Sequence, residues 1–241
     1  MNQTVNKKDS LLNDFICTVT FICSLMVVGI HQYNAGTLDE ISVTALFEGF
    51  LAHGIFISAV PCFFILSGFL FFRNTGKIND VYKKQIKRIK SVLIPFLVWS
   101  CFYCMLNYAK KFVTGENIVF SPIYFIKEIV FYIHCFSLWY MFQLIVYIVL
   151  APAIFLILKS KKISFILLIL LCFIGLVYTP VISISVCGNE RALFQVSFFA
   201  YYFLGCFAAK YFEPKKLINI AEKIPMSVYI YFWYYLELYS L

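Results

Sequence analysis

The chain has 241 residues, of which 62% are hydrophobic and only 13% charged, with a mean hydropathy of +0.86. Soluble domains run about 45–50% apolar with about a quarter charged, so an ordinary soluble globule is excluded, and so is a disordered chain. The net charge of +8 does not mark a nucleic-acid binder, because the basic residues are parcelled out between long uncharged runs.

A membrane-crossing helix needs about 20 mainly apolar residues. Stretches of this kind recur at 15–33, 49–72, 91–109, 138–158, 163–182, 192–209 and 224–241. Blocks such as Ile163-Ser-Phe-Ile-Leu-Leu-Ile-Leu-Leu lack the polar alternation of barrel strands. A backbone in lipid must satisfy its own hydrogen bonds, so the prediction is an all-α, polytopic bundle of about seven spans in a single domain, 1–241.

The first span closes with Val27-Val-Gly-Ile-His31. Its apolar core is longer than that of a cleavable signal and no convincing cleavage site follows, so it is predicted to remain as an anchor. The second carries Pro61, predicted to bend the helix, and Ser67-Gly68, which lets a neighbour approach closely. The loop 73–90 is rich in Lys and Arg, and the segment 122–136 is too interrupted to span, so it is predicted as an interfacial or re-entrant helix.

With the amino terminus inside, segments 1–14, 73–90, 159–162 and 210–223 hold 16 of the 20 basic residues. The outer loops keep only Lys110, Lys111, Lys127 and Arg191. That asymmetry predicts a cytoplasmic amino terminus. Seven of the nine cysteines lie in apolar runs, where a thiol behaves as a small hydrophobe. Cys135 and Cys187 fall on the same outer side, and spacing alone leaves open whether they pair. The chain has no P-loop or GxGxxG and no pair of CxxC elements at zinc-site spacing, and no metal site is predicted.

Polar groups inside spans are candidates for function because lipid makes them costly. Those that stand out are His31, His53, His134 near the fourth span, and Glu237 in the last. A neutral imidazole at His31 can act as a base; the competing reading is a histidine at a helix end bonded to headgroups or water. The cations of 73–90 can pair with the oxygens of a polyphosphate, or simply fix topology on anionic lipid.

Taken in order, four segments resemble the membrane-bound acyltransferase family 3. They are Val27-Val-Gly-Ile-His31; Ala59-Val-Pro-Cys-Phe-Phe-Ile-Leu-Ser-Gly-Phe-Leu-Phe-Phe72; Lys87-Arg-Ile-Lys-Ser-Val-Leu-Ile-Pro-Phe-Leu-Val-Trp-Ser100; and Ser137-Leu-Trp-Tyr-Met-Phe-Gln-Leu-Ile-Val-Tyr-Ile-Val-Leu-Ala-Pro152. Tyr201-Tyr-Phe-Leu-Gly205 is similar to a later signature. The resemblance implies a helical bundle in a bacterial plasma membrane. Its activity would be transfer of an acyl group, usually acetyl, from cytoplasmic acetyl-CoA to a hydroxyl or amine of a surface sugar, polysaccharide or lipid-linked precursor, with no metal. His31 occupies the family's catalytic position and would be the general base. Arg73, Lys87, Arg88 and Lys90 would hold the donor phosphates, with Ser67 a polar partner in the bundle.

The sequence departs from the family at three places: Thr20 stands where a basic residue is usual, Ser91 replaces the second arginine before the proline, and Phe142-Gln143 lacks an arginine some members carry. It also stops about three spans before the family pattern does. Two other readings follow, a non-catalytic remnant and a small transporter or flippase for a sugar-linked substrate. The transporter predicts discontinuous helices with repeated hydropathy, and no repeat is visible.

Overall fold

The computed structural model describes residues 2–32, 48–116, 121–177 and 180–212. It divides into two compact units, Met1–Arg73 with Tyr201–Leu241, and Asn74–Ala200.

The first unit is built on α1 (Asn2–Gln32), α2 (Ala59–Phe72) and most of α8 (Val196–Tyr211). Thr18, Thr20 and Ser24 of α1 donate their hydroxyls to the carbonyls of Asp14, Ile16 and Thr20 at 2.9, 2.7 and 2.8 Å. Each polar side chain is thereby satisfied within its own helix, as an apolar surrounding demands. Helix α2 is entered through a π-helical turn (Phe50–Ile55) and a 3₁₀ turn (Phe56–Ser58). The cause is Pro61: it offers no N–H to the carbonyl of Ile57 and its ring crowds that turn, so the winding changes ahead of the proline.

Leu12 and Ile16 of α1, Phe69 of α2 and Ala208 of α8 form one core cluster. At the crossing of α2 and α8, a Cβ on Gly68 would land on the carbonyl oxygen of Tyr202, and one on Gly205 would land on that of Ile65. The two glycines therefore let the helices touch backbone to backbone, which is the small-residue contact predicted at Ser67-Gly68.

The second unit is organised by α3 (Ile78–Thr114), which at 1.5 Å per residue is about 55 Å long and overshoots a hydrocarbon core. Its start is closed by Asp80, whose carboxylate accepts from the N–H groups of Lys77 at 3.0 Å and Gly76 at 3.3 Å. Gly115, at φ 72°, ends it in the left-handed conformation. A short helix, α4 (Pro122–Val130), follows where the interfacial segment was predicted. Helices α5 (Trp139–Val149) and α6 (Ala151–Ile157) then meet at a 54° bend across Leu150. Pro152 explains the break, since it leaves the carbonyl of Ile148 without its helical donor. The side chain of Gln85 supplies one instead, donating to the carbonyls of Ile148 and Val149 at 3.0 Å each.

Helix α7 (Lys161–Val177) leads into an antiparallel hairpin, β1 (Val181–Val186) and β2 (Asn189–Gln195). This departs from the all-α expectation, and it shortens the windows 163–182 and 192–209 at the ends that face each other in sequence. The local reason is plain in retrospect: Val-Ile-Ser-Ile-Ser-Val alternates with period two, and Cys187 and Gly188 both take positive φ, 51° and 76°, as a tight hairpin turn requires. Hydropathy averaged over a span-length window absorbs six such residues without trace.

The hairpin is pinned to α5 by two polar side chains. Gln143, fully buried, donates Nε2 to the carbonyl of Ala192 at 2.8 Å and accepts from the N–H of Gln195 at 3.2 Å. The Tyr147 hydroxyl donates to the carbonyl of Gln195 at 2.7 Å. Arg191 donates to the carbonyl of Ile133 at 3.0 Å and stacks its guanidinium over Tyr132, 5.6 Å from the ring centre. Replacing Gln143 by leucine removes the partner of two part-buried backbone groups, and each such loss costs up to about 1–3 kcal/mol. The expected result is a lower unfolding temperature in detergent than that of the wild type, and an unchanged value would contradict this account of the hairpin.

Among the described residues, three helices are long and apolar enough to cross a membrane: Leu12–His31, Phe50–Phe72 and Ile78–Thr114. The bent pair Phe136–Val149 with Ala151–Ile157 makes a fourth if taken as one span. Helices α7 and α8, at 17 and 16 residues, are about 25 Å long, just under a full crossing. The predicted span 224–241, with Glu237, lies outside the described residues.

Candidate functional site

In the first unit, α1 carries His31 in its last turn, with the side chain exposed. Gly29 sits just before it, and a Cβ there would meet the Phe56 ring at 2.5 Å. The glycine of Val27-Val-Gly-Ile-His31 thus admits the 3₁₀ turn against α1 beside the histidine. Arg73, the residue that closes α2, reaches α1 well before its histidine. Its Nη1 donates to Oδ1 of Asn13 at 2.8 Å, and its backbone N–H closes α2 on the carbonyl of Phe69, also at 2.8 Å. Asn13 and His31 are separated by about 27 Å of helix axis. An imidazole and a guanidinium therefore mark the two ends of the apolar stretch Leu12–His31 of α1.

Thr20 lies between them, half-buried, with its hydroxyl directed to the carbonyl of Ile16 rather than away from the helix. Ser67 is half-buried on α2, next to the glycine of the helix crossing. His53 falls in the π-helical turn Phe50–Ile55.

In the second unit, Lys87, Arg88 and Lys90 are exposed on the early turns of α3. Lys87 and Lys90, and likewise Lys84 and Arg88, have the three- and four-residue spacing of helix neighbours. Like charges so placed create a positive field that a polyanion relieves. Lys84 is turned back, donating Nζ to the hydroxyl of Thr75 at 2.9 Å. Ser91 donates to the carbonyl of Arg88 at 2.9 Å, so a short self-satisfied hydroxyl stands where a second arginine was the family pattern.

The structure also gathers residues that sequence reasoning did not group. Cys104 of α3 approaches Glu128 of α4 with Sγ to Oε2 at 3.5 Å, and His134 Nε2 is 3.5 Å from the same oxygen. Gln143 carries no charge, so its only signal in the sequence is an amide within an uncharged run. Cys135 and Cys187 are both thiols, as are all nine cysteines.

With this geometry in place, comparison with known proteins identifies the lineage. The family profile described as an acyltransferase domain matches residues 19–240. The succinoglycan biosynthesis protein ExoH of Rhizobium meliloti (strain 1021) is 36% identical over 76 residues, which is 32% of this chain and 19% of that protein. The match thus spans about a fifth of that relative's length. No solved structure matches the chain significantly. All the segments that carried the resemblance, from Val27 to Gly205, fall inside the matched range, and the chain belongs to acyltransferase family 3.

Proposed function

We propose that the chain is a multi-pass acyltransferase of a bacterial plasma membrane, with about seven crossings and a cytoplasmic amino terminus. It moves an acetyl group from cytoplasmic acetyl-CoA to a hydroxyl of a cell-surface sugar or polysaccharide precursor. The observation that carries this reading is the family match over residues 19–240. Support for a polysaccharide acceptor comes from the relative, which is named for succinoglycan biosynthesis. The basic residues of segments 1–14, 73–90, 159–162 and 210–223 support the orientation.

In this reading the guanidinium and ammonium groups of Arg73, Lys87, Arg88 and Lys90 bind the donor phosphates from the cytoplasmic side. His31, at the far end of α1 from Arg73, takes the proton of the acceptor hydroxyl as its oxygen attacks the thioester carbonyl. The C–O bond forms and the C–S bond breaks. The proton on His31 passes to the departing thiolate, leaving a sugar ester and free coenzyme A.

The test is incubation of membranes containing the protein with labelled acetyl-CoA, followed by isolation of glycan and lipid-linked sugar. Label in the glycan supports the enzyme. A second reading, a transporter of a sugar-linked substrate, draws on the 54° break between α5 and α6. It predicts substrate movement with no transfer of label.

The basic cluster gives a separate expectation. Lys87→Gln, Arg88→Gln and Lys90→Gln together should raise KM for acetyl-CoA about tenfold or more, with kcat little changed, because charged hydrogen bonds to phosphate are worth about 1.5–3 kcal/mol each. The difference should shrink as salt is raised. Equal KM values across ionic strengths would remove these residues from donor binding.

A further inference from the structure

Cys104 lies on α3, Glu128 on α4, and His134 in the turn after α4, yet their thiol, carboxylate and imidazole converge on one point. We propose that these three side chains bind a divalent transition-metal cation of the zinc class, with the fourth position open to water. All three ligand atoms lie within 4.8 Å of one another. The sulfur–oxygen and nitrogen–oxygen separations are each 3.5 Å. In a tetrahedral zinc site, bonds of about 2.3 Å to sulfur and about 2.0–2.1 Å to nitrogen and oxygen place such ligand pairs about 3.3–3.5 Å apart. Two of the three spacings therefore already match the ion, and the sulfur–nitrogen pair lies within 4.8 Å.

The chemistry of the donor set points the same way. One thiolate, one imidazole and one carboxylate suit zinc, and the two anionic ligands neutralise its charge. His134 Nε2 is buried and makes no hydrogen bond, although it faces Glu128. A hydrogen-bonded ion pair would have satisfied it; a shared cation uses the same lone pair directly. The ligands are also held from behind. Ser100, one turn before Cys104, donates to the carbonyl of Ile129 at 2.6 Å and so ties α4 to α3. Such an outer tie helps fix ligand orientation before the metal arrives. Cys104 is buried, whereas the side chains of Glu128 and His134 keep 14% and 17% exposure. On binding, the Cys104 S–H bond breaks, its proton goes to water, and the metal–sulfur bond forms.

The site is independent of the acyl-transfer reading, and its test needs no activity. The full chain, purified in detergent and stripped with a chelator, is titrated with Zn²⁺ alone, and separately with Co²⁺ as an optical probe. The expected result is one zinc per chain retained through gel filtration, together with a cobalt spectrum showing tetrahedral visible bands and a thiolate charge-transfer band. Cys104→Ser should lose the charge-transfer band, while Glu128→Gln and His134→Asn should bind at least about tenfold more weakly. His31→Ala should retain the full signal. Wild-type protein that retains no stoichiometric zinc, or gives a cobalt spectrum without a thiolate band, overturns the proposal without any variant. So does unchanged binding in any ligand variant that elutes as a single species.

Discussion

Changing His31 to alanine should abolish acetyl transfer while leaving the protein inserted and folded. General-base catalysis contributes about 10²–10⁴-fold, and no other imidazole lies on α1. The fold makes this a clean experiment. His31 is exposed in the last turn of its helix, so alanine removes no core packing and strengthens local helix propensity. Loss of labelled product with an unchanged elution profile and an unchanged KM for acetyl-CoA would be the signature of a catalytic residue. If His31→Ala transfers label at the wild-type rate, the base lies elsewhere, and the competing reading of a histidine bonded to headgroups or water takes over.

The largest structural effect is expected at the crossing of α2 and α8. Gly68→Ala and Gly205→Ala each place a methyl group onto a backbone carbonyl oxygen of the other helix, of Tyr202 and Ile65 respectively. A side chain can rotate away from an intruder, but a helix backbone must move bodily. The cost should therefore reach or exceed the top of the about 1–3 kcal/mol typical of overpacked sites, a large part of a total stability of about 5–15 kcal/mol. Thermal unfolding in detergent should show both variants melting well below the wild type. Gly76→Ala is the control, because a Cβ there meets only the Asp80 carboxylate, at 3.9 Å. Equal melting of all three variants would contradict the backbone contact.

This crossing also accounts for two segments of the family resemblance, the first of which was predicted as a close contact. Ser67-Gly68 and Tyr201-Tyr-Phe-Leu-Gly205 are far apart in sequence, and the fold presses their glycines against the opposing chain. They are therefore packing determinants of the first unit, whatever chemistry is carried nearby.

The sequence by itself determined the class of molecule. Uncharged runs of span length can exist only where water is absent, and a backbone without water must close its hydrogen bonds within helices. It also located a short separate segment at α4, the disturbance at Pro61 and the basic cluster of 73–90, because each is written in adjacent residues. The sequence reads that cluster as a loop, and the structure winds it from residue 78 into the first turns of α3. Pairings between distant residues were decided only by tertiary structure. The hydrogen bonds from Gln143 to Ala192 and Gln195 join positions about fifty residues apart, and Gln85 reaches the broken ladder at Ile148 across more than sixty. Cys104, Glu128 and His134 share no spacing that a local pattern detects. Span-length averaging concealed the hairpin for a related reason: its period-two alternation and its Cys187-Gly188 turn occupy fewer residues than the window used to find helices. Local hydrophobicity dictates where a chain enters lipid. Which buried polar group answers which is fixed only when the helices pack, because each unpaired group must find its partner in three dimensions.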